Sequence, residues 1–159
     1  MAGTPRARLI DVTLDRGTLA QSRADFERDR EVAIADLLVD NSFVLVGDHG
    51  GPYRLWLGTE EGRLLFDVSG GREHPLRRVR LPLQPFRGVI KDYIALCEIH
   101  YHAMRELSPS RIEAVDMGRR GLHNEGARLL RERLAPKIEV DIDTARRLFT
   151  LICALHMRG

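Results

Sequence analysis

Val79-Arg80-Leu81-Pro82-Leu83-Gln84-Pro85-Phe86-Arg87-Gly88-Val89-Ile90 is where the chain changes its period. Before Pro85 apolar residues recur at every second position. Val79, Leu81 and Leu83 share one face and Arg78 and Arg80 take the other, so Leu76 to Leu83 is expected as a strand buried on one side. After Pro85 the interval lengthens to three or four, through Phe86, Ile90, Tyr93, Ile94, Cys97, Tyr101, Met104 and Leu107, the stripe of a long helix. Strand chemistry on one side of a single point and helix chemistry on the other predicts an α+β fold with a mainly antiparallel sheet, followed by a layer of three to four helices.

Toward the N-terminus the same alternation continues. Ile10, Val12 and Leu14 predict a short strand, and Phe26, Arg30, Ala33, Ile34, Leu37 and Leu38 a helix of about four turns. Asp40-Asn41-Ser42 should end that helix, and Phe43 to Val46 should resume as strand. Tyr53 to Leu57 and Arg63 to Val68 flank Gly58-Thr59-Glu60-Glu61-Gly62, which reads as a hairpin with a longer loop. Toward the C-terminus, Ser110-Arg111-Ile112-Glu113 has capping-box spacing and predicts another helix start. Ile138 to Ile142 reads as extended. A last helix, capped by Asp143 and running to about Met157, carries apolar residues around most of its circumference and should be the most buried. No strand-helix-strand unit repeats, and no linker divides the chain. Residues 1–159 are therefore expected as one domain, with 1–84 mainly β and 85–159 helical.

With 43% hydrophobic residues, 159 positions suffice for one core. The longest apolar run, Leu148 to Met157, is about half the ~20 residues that span a bilayer. Met1 to Arg8 lacks the apolar stretch of a secretory signal. Two cysteines, Cys97 and Cys153, are too few for a disulfide framework. A cytoplasmic protein with no membrane association is expected. The net charge of +2 conceals a basic run, with Arg72, Arg77, Arg78, Arg80, Arg87 and Lys91 set against Glu73 alone. Arginine outnumbers lysine throughout, which suits bidentate recognition of phosphate or carboxylate but is also what a GC-rich genome produces, so placement counts for more than abundance.

Arginine placement singles out Asp116-Met117-Gly118-Arg119-Arg120-Gly121-Leu122-His123-Asn124-Glu125-Gly126-Ala127. The glycines predict a pause in the helix near Gly118 to Gly121, with Asn124 capping its continuation from Glu125 to Leu134. Helix starts offer unpaired N–H groups and a partial positive charge, so Arg119, Arg120, His123 and Asn124 would complete a site for an anionic group. The competing reading makes Asn124 a plain cap and lets the arginines bridge Asp116 or Glu125.

The strings Pro52-Tyr53-Arg54-Leu55, Arg119-Arg120-Gly121-Leu122-His123-Asn124-Glu125-Gly126 and Thr144-Ala145-Arg146-Arg147-Leu148-Phe149-Thr150-Leu151 together resemble an uncharacterised protein family of alphaproteobacteria. The resemblance runs from about Asp11 to Gly159. It implies a bacterial source and a cytoplasmic compartment, and no catalytic or ligand-binding residue carries over from it.

Two Cys-x-x-His pairs, Cys97/His100 and Cys153/His156, could meet as a zinc site, but each sits on a helix stripe that is already apolar, so folding without metal is expected. His100 and His102 point to different sides of their helix, and His102 is placed to pair with Glu98. His49 and His74 fall in turns. Arg128, Arg131, Arg133, Arg146 and Arg147, interleaved with Glu132, Asp141 and Asp143, read as a solvated, salt-bridged surface. Nucleophile elbows, phosphate-binding glycine loops and metalloprotease motifs are absent, and His123 with Glu125 or Asp116 is the one acid/base set to test. No cofactor is expected, and oligomeric state is not fixed by the sequence.

Two functions follow. The first is a non-catalytic adaptor or regulator that engages an acidic protein or a small anionic ligand. Nucleic acid ranks lower, because acids interrupt the basic patches and the pI is near 8.8. The second is an enzyme that acts on a phosphorylated small molecule or nucleotide through His123. An enzyme requires a concave pocket around His123, whereas an adaptor calls for a flatter face of arginines and apolar anchors.

Overall fold

A computed structural model describes residues 7–15, 24–48, 50–106 and 108–156, without the side chains of 24–26 and 101–106. His49, the side chains of Phe26, Tyr101, His102 and Met104, the whole of Leu107, and the end of the last predicted helix at Met157 thus lie outside the described residues. The fold is α+β. Its elements run β1 (Leu9–Leu14), α1 (Ala24–Val39), β2 (Phe43–Leu45), β3 (Tyr53–Glu60), β4 (Arg63–Gly70), β5 (Pro75–Pro82), α2 (Gln84–Glu106), α3 (Pro109–Leu134), β6 (Ile138–Val140) and α4 (Ile142–His156).

Strands β3, β4 and β5 form an antiparallel meander, with Leu57 opposite Phe66 and Phe66 opposite Val79. The hairpin loop between β3 and β4 is shorter than the sequence suggested. Ladder pairing runs to Glu60 and Arg63, leaving Glu61 and Gly62 as a two-residue turn with φ of 50° and 74°. Two consecutive positive φ values match the right-handed twist of the flanking strands, which is why so tight a connection closes here.

Strand β1 joins β3 in parallel, so the sheet order is β1-β3-β4-β5 and α1 lies within the crossover. A register shift between Leu9 and Asp11 alters the expected alternation: Leu9, Val12 and Leu14 are buried and Ile10 is exposed. Asn41 fastens this edge. Its amide nitrogen donates to the carbonyls of Leu9 and Leu37 at 3.0 and 2.8 Å, and its oxygen accepts from Leu9 N–H at 2.7 Å. A residue read only as a helix stop therefore satisfies buried backbone groups of both β1 and α1. Strand β2 stands apart from the main sheet and pairs antiparallel with β6, Phe43 opposite Val140.

Helix α3 departs most from expectation. It runs unbroken through 26 residues, starting after Ser108, whose side chain caps Arg111 N–H, with Pro109 in the first turn. Ser110 is not the cap, Gly118 and Gly121 end nothing, and Asn124 lies in the helix interior. Each interior glycine costs about 1 kcal/mol of helix propensity, which packing on α2 and α4 overrides. A Cβ on Gly118 would sit 3.3 Å from Leu96 of α2, so that glycine permits close approach, whereas Gly121 faces open space. Gly121→Ala should therefore stabilise the protein by up to about 1 kcal/mol in denaturant melts. A broken helix with Gly121 in the turn would instead lose stability.

Helix α4 begins two residues earlier than expected. Asp141, not Asp143, is its cap, accepting from Thr144 N–H at 2.8 Å. Leu148, Phe149, Leu151, Ile152 and Cys153 are wholly buried, and core residues from both sides of Pro85 belong to one cluster. Among the described residues no helix is long and apolar enough to cross a membrane.

Candidate functional site

Residues 116, 119, 120, 123 and 124 are spaced at intervals of three and four on an unbroken helix, so they share one face of α3. Helix periodicity thus brings Arg119, Arg120, His123 and Asn124 together, not a helix start. The consequence for recognition is direct. Backbone N–H groups here are spent inside the helix, and any anion must be held by side chains. Across from them α4 contributes Arg146 and Thr150, one turn apart, and α2 contributes Tyr93. These seven side chains line a concave cleft of about 470 Å³.

Asp116 organises the arginines. Its Oδ1 accepts from Arg119 at 2.7 Å, and its Oδ2 accepts from Arg120 Nε at 2.9 Å and again from the same guanidinium. Hydrogen bonds from Arg119 first and Arg120 second hold its carboxyl down at about 2. One carboxylate cannot occupy ten guanidinium N–H donors, and the Arg120 side chain remains 71% exposed. Arg146 donates through Nε to the Asn124 oxygen at 2.9 Å and lies 3.2 Å from Asp143. That fixes the Asn124 amide, leaving its N–H groups as donors for a ligand. Three guanidiniums face two carboxylates, so the cleft carries one positive charge in excess.

His123 packs edge-on against Phe149, with ring centroids 5.7 Å apart, and tilted against Tyr93 at 5.4 Å. Its Nε2 lies 2.8 Å from Thr150 Oγ1, and the Thr150 hydroxyl donates to the Arg146 carbonyl at 3.2 Å. With the single hydroxyl proton on the Arg146 carbonyl, Nε2–H is the donor to Oγ1; in the other tautomer the hydroxyl donates to Nε2. Burial lowers the His123 pKa to about 4, with the charges of Arg146 and Arg119 acting in the same direction. The ring is neutral at pH 7. Neither acid proposed to assist it does so: Asp116 is held by the arginines, and Glu125 is exposed on α3 while His123 bonds to Thr150.

The folded pKa of about 4 lies below the ordinary 6.5, so the unfolded chain takes up a proton first. Stability from neutral His123 is complete above 6.5, declines as pH falls from 6.5 to about 4, and changes no further below that. The loss should be about 2–3 kcal/mol. Urea melts across that window should show it, and His123→Gln should flatten this part of the profile. An unchanged slope in the variant would assign the pH dependence elsewhere.

Tyr93, Arg146 and Thr150 escaped the sequence reading. Tyr93 lay in an apolar stripe, and Arg146 was grouped with surface salt bridges. The available signal was Arg146 and Thr150 at i, i+4, a polar break in the most apolar helix. Arg131 and Arg147 likewise bond to the carbonyls of Val140 and Asp40 rather than to carboxylates. Arg78 instead makes a two-point bond to Asp67 across β4 and β5, at 2.5 and 2.9 Å. Cys97 and Cys153 are buried, and His156 Nδ1 donates to the Ile152 carbonyl at 2.8 Å. Among the described residues no group of three or more His, Cys, Asp or Glu side chains is placed to hold a metal ion.

An α+β protein with an arginine-lined cleft between three helices is thus the class that fold and site define. The chain belongs to the Uncharacterised protein family (UPF0262), which it matches over residues 6–158. It is similar to a UPF0262 protein of Rhodospirillum rubrum, 56% identical over 151 residues, 95% of this chain and 93% of that protein. A UPF0262 protein of Azorhizobium caulinodans is 55% identical over 157 residues, 98% of this chain and 97% of the relative. One from Brucella canis is 54% identical over 159 residues, 99% of each. No solved structure matches the chain.

Proposed function

We propose that this protein is a small cytoplasmic regulator that binds a small anionic ligand, a phosphate- or carboxylate-bearing molecule, in the cleft of Arg119, Arg120, His123, Asn124 and Arg146. The observation that carries the reading is the concave cleft with one positive charge in excess and side-chain donors converging on it. The donors converge within reach of a single anionic group, which suits a small ligand, and the open cleft would also admit one acidic side chain of a protein partner. Neutral His123 adds a polar contact without adding charge, and the Tyr93 and Phe149 rings hold it in place.

Concavity around His123 is also what the enzyme reading requires, so that reading keeps one supporting observation. Against it, a general base needs a pKa near working pH and an orienting partner, and His123 has a pKa of about 4 and a hydroxyl partner. Calorimetric titration with inorganic phosphate, succinate and a phosphomonoester separates the possibilities. Saturable binding of at least one anion that weakens with added salt, with the phosphomonoester recovered intact, supports a binding protein. Turnover of the phosphomonoester would move the assignment to an enzyme. Absence of binding to all three would remove the proposal.

A further inference from the structure

A second cleft, sharing no lining residue with the first, opens between the first half of α2 and the end of α4. Leu83, Ile90 and Ile94 make its apolar surface, Arg87 and Lys91 stand on its rim, and His156 closes the α4 side, around a volume of about 480 Å³. Residues 87, 90, 91 and 94 recur at helical intervals, so Ile90, Ile94 and the cationic rim belong to one face of α2, with Leu83 just before its first residue. We propose that this cleft binds a medium-chain fatty acid, its hydrocarbon chain on Leu83, Ile90 and Ile94 and its carboxylate between Arg87 and Lys91.

Charge complementarity selects that occupant. Within the basic run found in the sequence, Arg78 is paired with Asp67 and Arg77 donates to the Lys137 carbonyl. Arg87 and Lys91 are exposed and, among the described residues, in no ion pair. They lie one turn apart near the positive end of α2, whose first turn contains no acid. Like charges at that spacing repel and the helix dipole opposes both, while the Arg87 guanidinium reaches the β3–β4 turn, 3.9 Å from where a Cβ on Gly62 would stand, without a carboxylate partner among the described residues. A bound carboxylate relieves all three repulsions. Ile90 is nearly fully buried and Ile94 partly so, which makes the floor an extension of the core rather than scattered surface residues. The volume is that of a small-molecule site, not of an extended protein interface.

The test uses the full chain with methyl-labelled isoleucine and decanoate as probe, kept below its micellar range. Saturable shifts of the Ile90 and Ile94 methyl resonances are expected, with exposed Ile10 and Ile99 unmoved. Decanol, which keeps the chain and lacks the charge, should bind about tenfold more weakly. The Arg87→Gln/Lys91→Gln variant should lose that difference by weakening decanoate alone. Arg119→Glu/Arg120→Glu should bind decanoate as the parent does, which keeps this site separate from the anion cleft. Equal affinity for decanol and decanoate overturns the proposal. So do shifts spread over all isoleucines, or binding to anionic phospholipid vesicles without any response to monomeric decanoate.

Discussion

Phe149→Ala should destabilise the protein by about 3–5 kcal/mol, the largest effect expected of any single truncation discussed above. Its ring is wholly buried in α4, meets Tyr93 edge-on at 5.9 Å and His123 at 5.7 Å, and presses directly on the backbone of α3 at Gly126. A Cβ on Gly126 would fall within the Phe149 ring, so the two residues form one contact that sets the distance between α3 and α4. Gly126→Ala should therefore lose stability by about 1–3 kcal/mol through overpacking, although alanine is the better helix former. Gly121→Ala, five residues earlier on the same helix, should have the opposite sign. Pairing Gly126→Ala with Phe149→Leu should recover part of the loss, since the smaller side chain makes room for the methyl group. Urea denaturation of the four variants checks the set, and equal effects at Gly121 and Gly126 would refute this account of the helix interface.

These two glycines also show how far the sequence could be read. Period alone located the strands, the long helix α2 and the buried α4, because Val79-Leu81 and Phe86-Ile90-Tyr93 encode their faces locally. Glycine was misjudged because its effect on a helix depends on what lies opposite. Gly118 and Gly126 face Leu96 and Phe149, which no local pattern reveals, and three glycines within nine residues looked like a break. The parallel docking of β1 on β3 was hidden for a similar reason: it depends on a crossover and on Asn41, whose partners lie up to 32 residues away. Of the candidate site, the four residues on α3 were legible as a cluster of unusual side chains. Their arrangement was attributed to a helix start, whereas helix spacing produces it. Arg146, Thr150 and Tyr93 come from other helices, and only the tertiary packing of α4 against α3 and α2 brings them to the cleft.

The second large effect concerns Asp116, which currently occupies the donors an anion would use. Its two oxygens take hydrogen bonds from both Arg119 and Arg120. Asp116→Asn keeps the shape, removes the negative charge and leaves both guanidiniums unneutralised. If the cleft is built to hold an anion, the internal carboxylate competes with the ligand, and its removal should tighten binding by about tenfold. Were the arginines present only to secure Asp116, the same change would create unpaired like charges and no affinity. Arg119→Glu/Arg120→Glu supplies the opposite perturbation and should abolish binding. Position 120 is largely exposed and should leave the thermal midpoint nearly unchanged, whereas position 119 is three-quarters buried beside Asp116 and accounts for any fall in it, so Arg120→Glu alone is the control for folding. The most direct measurement is calorimetric titration of inorganic phosphate into the parent chain, Asp116→Asn and Arg119→Glu/Arg120→Glu at one low salt concentration. Tightest binding in Asp116→Asn, intermediate in the parent and none in the double variant is the predicted order. Phosphate affinity that is indifferent to all three changes, or a double variant that unfolds while Asp116→Asn binds nothing, would contradict an anion site and leave the arginine cluster structural.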